Sequence, residues 1–178
     1  MEWDTSGVIK MTIKNKSDML KEFQNNPIIK KTEFYCAHGT TSVYEHSMNV
    51  AALALHISKP FKTSDKQDLV MGALLHDFYL YDWHELGRMN EYRKMHHKHG
   101  TLAKENALKY FDLSPKAQNV IESHMWPMNF KKRPKSKEAV FVNIADKICA
   151  LLETTEGFYH KTKFLYKKKR IRRTKMFS

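Results

Sequence analysis

Five times along the chain a serine stands just ahead of a run whose apolar residues recur at helical spacing, and no stretch of strand length alternates apolar with polar residues. A serine in that place can accept a hydrogen bond from one of the backbone N–H groups that the first turn of a helix leaves unpaired. Ser17 opens a short amphipathic stretch to about Phe23, stopped by Asn25-Asn26-Pro27. Ser42-Val43-Tyr44-Glu45 is a capping box, with Ser42 bonding forward and Glu45 back, and predicts a helix to about Ser58 ahead of Pro60. Ser64-Asp65-Lys66-Gln67 is a second box, for a helix that reaches His76. A third helix is predicted from about His97 to Phe111. Ser114-Pro115 combines an N-cap with proline at the first helical position and opens a helix to about His124, and Ser136 opens a longer one to about Glu153. With no Asn-Gly or Asp-Gly hairpin turn in the chain, the expected fold is all-α, a compact single-domain helical bundle.

A chain of 178 residues with 42% hydrophobic residues can bury a core without covalent staples. The two cysteines, Cys36 and Cys149, are far apart and form no C-x-x-C pair, which argues against a disulfide framework or a thiolate zinc finger and fits a reducing compartment. The start of the chain has scattered charges and no apolar core, and no later window approaches the ~18 apolar residues of a membrane span. A cytoplasmic protein is expected. Net charge is +12, yet nine Lys or Arg and no acid fall in residues 161–178, leaving about +3 for the rest. The expected organisation is a helical domain over 1–160 and a basic tail over 161–178. The tail reads as a solvated extension or helix end, or alternatively as a surface for polyanions.

Chemistry-bearing residues fall on the apolar faces of these helices. His46 shares a face with Val50, Leu53 and Ile57; His76 with Leu69 and Ala73; Asp77 with Val70 and Leu74; His99 with Ala103, Ala107 and Tyr110; His124 with Ala117 and Val120; Asp146 with Ala139, Val142 and Ala150. Each taken alone is a hydrogen-bonded core histidine or a capping aspartate. Together they aim imidazoles and carboxylates from five helices at one interior, where a charge must be paired or coordinate a metal. Nitrogen and oxygen donors in that mixture suit borderline divalent ions.

The ordered series His46, then His76-Asp77 closing the run LVMGALLHD, then Asp146 in NIADKICALLE resembles the HD domain superfamily of metal-dependent phosphohydrolases. His99 in HHKHG and His124 in IESHMWP match the two further histidines of the subset that holds two metals, and the resemblance covers roughly residues 38 to 153. It implies that His46, His76, Asp77 and Asp146 hold one ion, that Asp77 bridges to a second held also by His99 and His124, and that water or hydroxide shared by the two attacks phosphorus. The implied cofactors are two divalent transition metal ions such as iron, manganese or zinc, with magnesium as an option. The implied partner is a small phosphorylated substrate, a phosphomonoester or phosphodiester, with a nucleotide as one option. The Ile-Gly-Lys run and Gly-Tyr-Pro signature of the cyclic-dinucleotide branch are missing, since Phe78-Tyr79-Leu80 follows the pair, so cyclic dinucleotides are not the preferred substrate.

Lesser candidates surround this set. Lys147, beside Asp146, meets a phosphate oxygen in a catalytic role or pairs with a carboxylate. Arg133 and Lys131 lie in the loop after His124, within reach of a substrate phosphate or simply solvated. His38 lines the mouth of the site. Rings between Phe78 and His84 wall a pocket or pack, with packing ahead; His96 and His97 point elsewhere, and His56, His84 and His160 carry no role. Two other functions stay open: an oxygenase with an iron pair in the same fold, and, less favoured, a nucleic-acid-binding protein that uses the basic tail and keeps its metals for structure.

Overall fold

The computed structural model describes residues 21, 23–61, 66–79 and 98–174, with side chains as far as Glu156. A helical turn, α1 (Pro27–Lys30), and a 3-10 turn (Lys31–Phe34) lead into strands β1 (Cys36–His38) and β2 (Thr41–Ser42). Helices α2 (Val43–Ile57), α3 (Lys66–Leu75), α4 (His99–Leu108), α5 (Pro115–Ser123) and α6 (Lys137–Thr174) follow. The chain is thus predominantly helical, as its punctuation predicts. Ser17, Ser64, Asp65, residues 80–84, His96 and His97 lie outside the described residues.

The serine caps act as their positions demand. Ser42 Oγ accepts from the Glu45 N–H (3.2 Å) while the Glu45 carboxylate accepts from the Ser42 N–H (3.1 Å), closing the box that starts α2. Ser114 Oγ accepts from the Ala117 N–H (3.0 Å) and donates to Asp68 of α3, so one hydroxyl both starts α5 and ties it to its neighbour. Ser136 Oγ accepts from the Ala139 N–H (3.2 Å) at the head of α6.

Helix α2 packs on α3 and α6, α3 also on α5 and α6, and α4 leans on α5. Val50, Leu69, Val70, Val120, Ile121 and Val142 are fully buried between them, and each such side chain contributes roughly 1.5–3 kcal/mol of transfer free energy. Phe78 meets Tyr110 and Phe111 edge to face, and Tyr79 is buried with Ala37 and Val43, so these two rings pack as expected. Neither Cys36 nor Cys149 takes part in a disulfide. No helix among the described residues is long and apolar enough to cross a membrane.

Three elements depart from expectation. First, α3 stops at Leu75, so His76 and Asp77 sit in the turn beyond it; α4 starts at His99 rather than His97 and ends at Leu108 rather than Phe111. Second, α6 continues past Glu153 to Thr174. No proline follows Pro134, and Gly157 costs only about 1 kcal/mol in a helix rich in Lys, Arg and Leu, so nothing in the sequence stops it. Third, a two-residue hairpin joins β1 to β2, with His38 opposite Thr41 and Gly39 at φ 61°. Glycine first in a two-residue loop is itself a hairpin signal, because that position takes a positive φ.

Candidate metal centre

The end of α3 and the middle of α6 meet where α2 begins. His46, on the first turn of α2, is fully buried with its Nε2 3.2 Å from Asp146 Oδ1 of α6 and 3.2 Å from His76 Nε2. His76 Nε2 also lies 3.6 Å from Asp146 Oδ1 and 3.6 Å from Asp77 Oδ2. The other carboxylate oxygen of Asp77 turns the opposite way: Oδ1 is 2.7 Å from His99 Nε2, on the first residue of α4, and 3.3 Å from His124 Nε2, just past α5. All six residues that the sequence singles out as ligands therefore converge, and their donor atoms fall, with His38, into three overlapping groups, His38/His46/Asp146, His46/His76/Asp77 and Asp77/His99/His124, each within 4.8 Å.

Proton arithmetic shows why these atoms suit a cation. His76 Nδ1–H donates to the Ala73 carbonyl (2.7 Å) and His124 Nδ1–H donates to the Ile121 carbonyl (2.7 Å). A neutral imidazole has one N–H, so on both rings Nε2 presents a bare lone pair. The lone pair of His124 faces the acceptor Asp77 Oδ1 at 3.3 Å, and that of His76 faces His46 Nε2 at 3.2 Å. Such acceptor pairs repel unless a proton or a metal stands between them. Metal–ligand bonds of ~2.1 Å place neighbouring ligand atoms roughly 3.0–3.4 Å apart, close to the separations found.

The electrostatics are those of a cation site filled by protons. Burial works against an imidazolium at His46, but Asp146, Glu153 and Asp77 together drive its pKa up to about 10. Burial likewise opposes charge on His76, and Asp77 and Asp146 overcome it, raising its pKa. His124 goes the other way: burial, aided by His76, brings it down to about 4, so its ring is neutral. Burial would raise the two aspartates, yet the imidazoles hold Asp77 and Asp146 well below the usual carboxylate range. Two carboxylates kept ionised in the interior demand compensating positive charge.

Groups beyond the six hold this arrangement. Glu153 Oε2 accepts from His46 Nδ1 (2.8 Å) while its Oε1 accepts from Asn49 (2.9 Å), which fixes the His46 ring with Nε2 toward the cluster. Glu153 stands seven residues after Asp146, two turns along one helix face, a spacing that marks it once α6 is known to persist. The Asn143 amide donates to the carbonyls of His124 (2.6 Å) and Trp126 (2.7 Å), and Lys147 Nζ donates to those of His124 (3.0 Å) and Asn143 (3.4 Å). Lys147 thus anchors the backbone of a cluster histidine. Arg133 and Lys131 are exposed in the loop between α5 and α6, and only the Arg133 backbone carbonyl takes part in a described bond, from Asn119 (3.5 Å). His38, expected at the mouth, is half-buried and its donor atom falls within 4.8 Å of those of His46 and Asp146. A cleft of about 460 Å³ beside Phe61, Pro134 and Phe141 shares no residue with the cluster.

Close helix contact brings His99 to Asp77. A Cβ on Gly100 would stand 2.8 Å from the Glu122 carbonyl oxygen and 3.1 Å from that of Ile121, both backbone atoms that cannot swing aside. Gly100→Val should therefore push the head of α4 off α5, lowering the melting temperature by several degrees and weakening metal retention at the His99 side. Calorimetry with and without added metal checks this; a variant as stable and as metal-retentive as the parent would contradict it.

The interior of this helical bundle gathers imidazoles and carboxylates in three overlapping groups that could hold a metal ion. The HD domain family model matches residues 43–151, more than half of the chain, and the chain belongs to that family. The match runs from the head of α2, three residues before His46, past Asp146. HD domains bind divalent metals and are generally metal-dependent hydrolases, and the residues present here fit such ions. Comparison with curated proteins gives no match.

Proposed function

We propose that this protein hydrolyses small phosphate esters with two divalent transition metal ions held side by side in the cluster. One observation carries the reading: the two oxygens of Asp77 face separate histidine groups, Oδ1 toward His99 and His124, Oδ2 toward His76 and His46. A carboxylate so placed is suited to join two cations. His46, His76, Asp77 and Asp146 would hold one, and Asp77, His99 and His124 the other. Bound there, the pair supplies an activated water near neutral pH and charge stabilisation for the phosphoryl oxygens. Water adds to phosphorus, the ester P–O bond breaks, and the leaving alkoxide takes up a proton.

The protein groups have distinct tasks in that reaction. Glu153 keeps the His46 ring oriented, Asn143 and Lys147 keep the His124 backbone in place, and the buried carboxylates balance cationic charge. Iron, manganese or zinc suits a site with two imidazole nitrogens at each ion better than magnesium does. Elemental analysis of freshly purified protein, coupled to phosphate release from a panel of phosphorylated metabolites, tests the proposal. Two transition ions per chain and metal-dependent phosphate release are expected. Retained iron with oxygen consumption and no phosphate release would replace hydrolysis with oxygenase chemistry at the same centre.

A further inference from the structure

We propose that His38 is a fifth protein ligand of the ion held by His46, His76, Asp77 and Asp146, which directs substrate to the other ion. The inference rests on the metal-centre reading and adds a residue that lies outside the six. His38, His46 and Asp146 bring donor atoms within 4.8 Å of one another, as do His46, His76 and Asp77. The two groups share His46, so the question is whether they describe two cations or one. His46 Nδ1 is engaged by Glu153 Oε2 at 2.8 Å, leaving Nε2 as its one lone pair. One lone pair serves one ion. Both groups therefore describe the same position, and His38 joins it.

The fold places His38 there by construction. It ends β1, opposite Thr41 of β2, and the two-residue turn at Gly39 brings the strands together. The backbone N–H of Val43, at the head of α2, donates to the Tyr35 carbonyl (2.8 Å), which locks the hairpin to the helix carrying His46. The His38 and His46 rings meet edge to face with centroids 4.9 Å apart at 74°, an arrangement open to two imidazoles on one cation.

The ligand count then differs between the ions. Five protein donors leave one position free in an octahedral shell, whereas Asp77, His99 and His124 leave three at the neighbouring ion. An ion with five protein donors would have little room for substrate, whereas one held by Asp77, His99 and His124 would have room for substrate oxygens.

Co(II) titration of chelator-stripped full-length protein, with a competing chelator and visible absorption, tests the assignment on wild type, His38→Ala and His38→Gln. The wild type is expected to take up two Co(II). Each variant should bind one of them at least ~10-fold more weakly, the lower end of the loss found when residues that merely orient a ligand are removed. The other ion should keep its affinity, and free imidazole should restore the lost one in His38→Ala. A Co(II) band that intensifies in the variants, as coordination number falls, would support the assignment. Wild-type affinity for both ions with an unchanged spectrum would overturn it, and His38→Gln keeps the test alive if alanine impairs folding. Wild type that binds Co(II) yet releases phosphate from no ester removes the hydrolase reading and leaves this one standing; wild type that takes up no Co(II) removes both.

Discussion

Asp77→Ala should leave less than one ion per chain and lower metal-dependent phosphate release by at least ~10³-fold, the upper range for losing one preorganised charge-stabilising group. The size follows from what Asp77 touches. Its two oxygens reach four imidazoles, with contacts from 2.7 Å at His99 to 3.9 Å at His46. Removing the carboxylate removes an anionic donor from both ion positions at once, whereas His124→Ala should weaken mainly the ion on the His99 side. The carboxylate is also what holds neighbouring positive charge in the metal-free interior, since it raises the pKa of both His46 and His76. Asp77→Asn separates charge from shape: it keeps the volume, removes the anion, and should lose metal nearly as completely while packing better than alanine. Metal content by elemental analysis, steady-state phosphate release and metal-free melting curves together read the outcome. Full turnover by metal-stripped Asp77→Ala would sink the scheme.

The six cluster residues were legible because their chemistry conflicts with their surroundings. An imidazole or carboxylate in register with Val50, Leu69 or Val142 has to find a partner in the interior, and six such conflicts from five helices resolve each other only by meeting. What the sequence concealed was how they meet. His76-Asp77 follows the last residue of α3, His99 is the first residue of α4, and His124 caps α5, so most of the centre is built at helix ends rather than on helix faces. At an end the backbone curls, and that curl lets His76 and His124 each return Nδ1–H to a carbonyl three residues back. Periodicity describes faces and is silent on ends.

Supporting residues were harder to see for a different reason. Glu153 and Asn143 are ordinary helix residues by type, and their roles depend on α2 and α5 arriving beside α6 from elsewhere in the chain. The helix opened by Ser136 is expected to end at about Glu153, whereas α6 continues to Thr174. Gly100 gives no local signal either, because its lack of a side chain matters only against the carbonyls at the end of α5. The β1–β2 hairpin gives a weak signal because its turn is Gly-Thr rather than Asn-Gly, and that hairpin is what brings the His38 donor within 4.8 Å of those of His46 and Asp146.

Stripped of metal, the protein should lose stability as pH rises from about 6.5 to about 10, and added metal should abolish that loss. In the metal-free fold His46 has its pKa raised from 6.5 to about 10. A group whose folded pKa is raised stabilises the fold fully below its unfolded pKa, and the contribution disappears as pH climbs through the folded value. At 1.36 kcal/mol per unit the interval corresponds to roughly 5 kcal/mol, a figure shared by His46 with Asp146 and Glu153 and counted once. His124 has the opposite sign. Its pKa, lowered to about 4 by burial, makes the unfolded chain the better proton acceptor between about 4 and 6.5, so stability falls again on the acid side. A metal-free maximum near pH 6.5 results. A bound ion takes the place of the His46 proton, so binding should release protons above neutrality and affinity should rise with pH. Melting curves from pH 5 to 10, with chelator and with Co(II), would show the gap between the two forms widening toward alkaline pH. Parallel curves would mean that His46 carries no proton that metal must displace. Glu153→Gln provides the internal control: with one of the carboxylates removed, the alkaline loss should still begin near pH 6.5 but should be smaller and end at lower pH, while the acid limb set by His124 stays where it was.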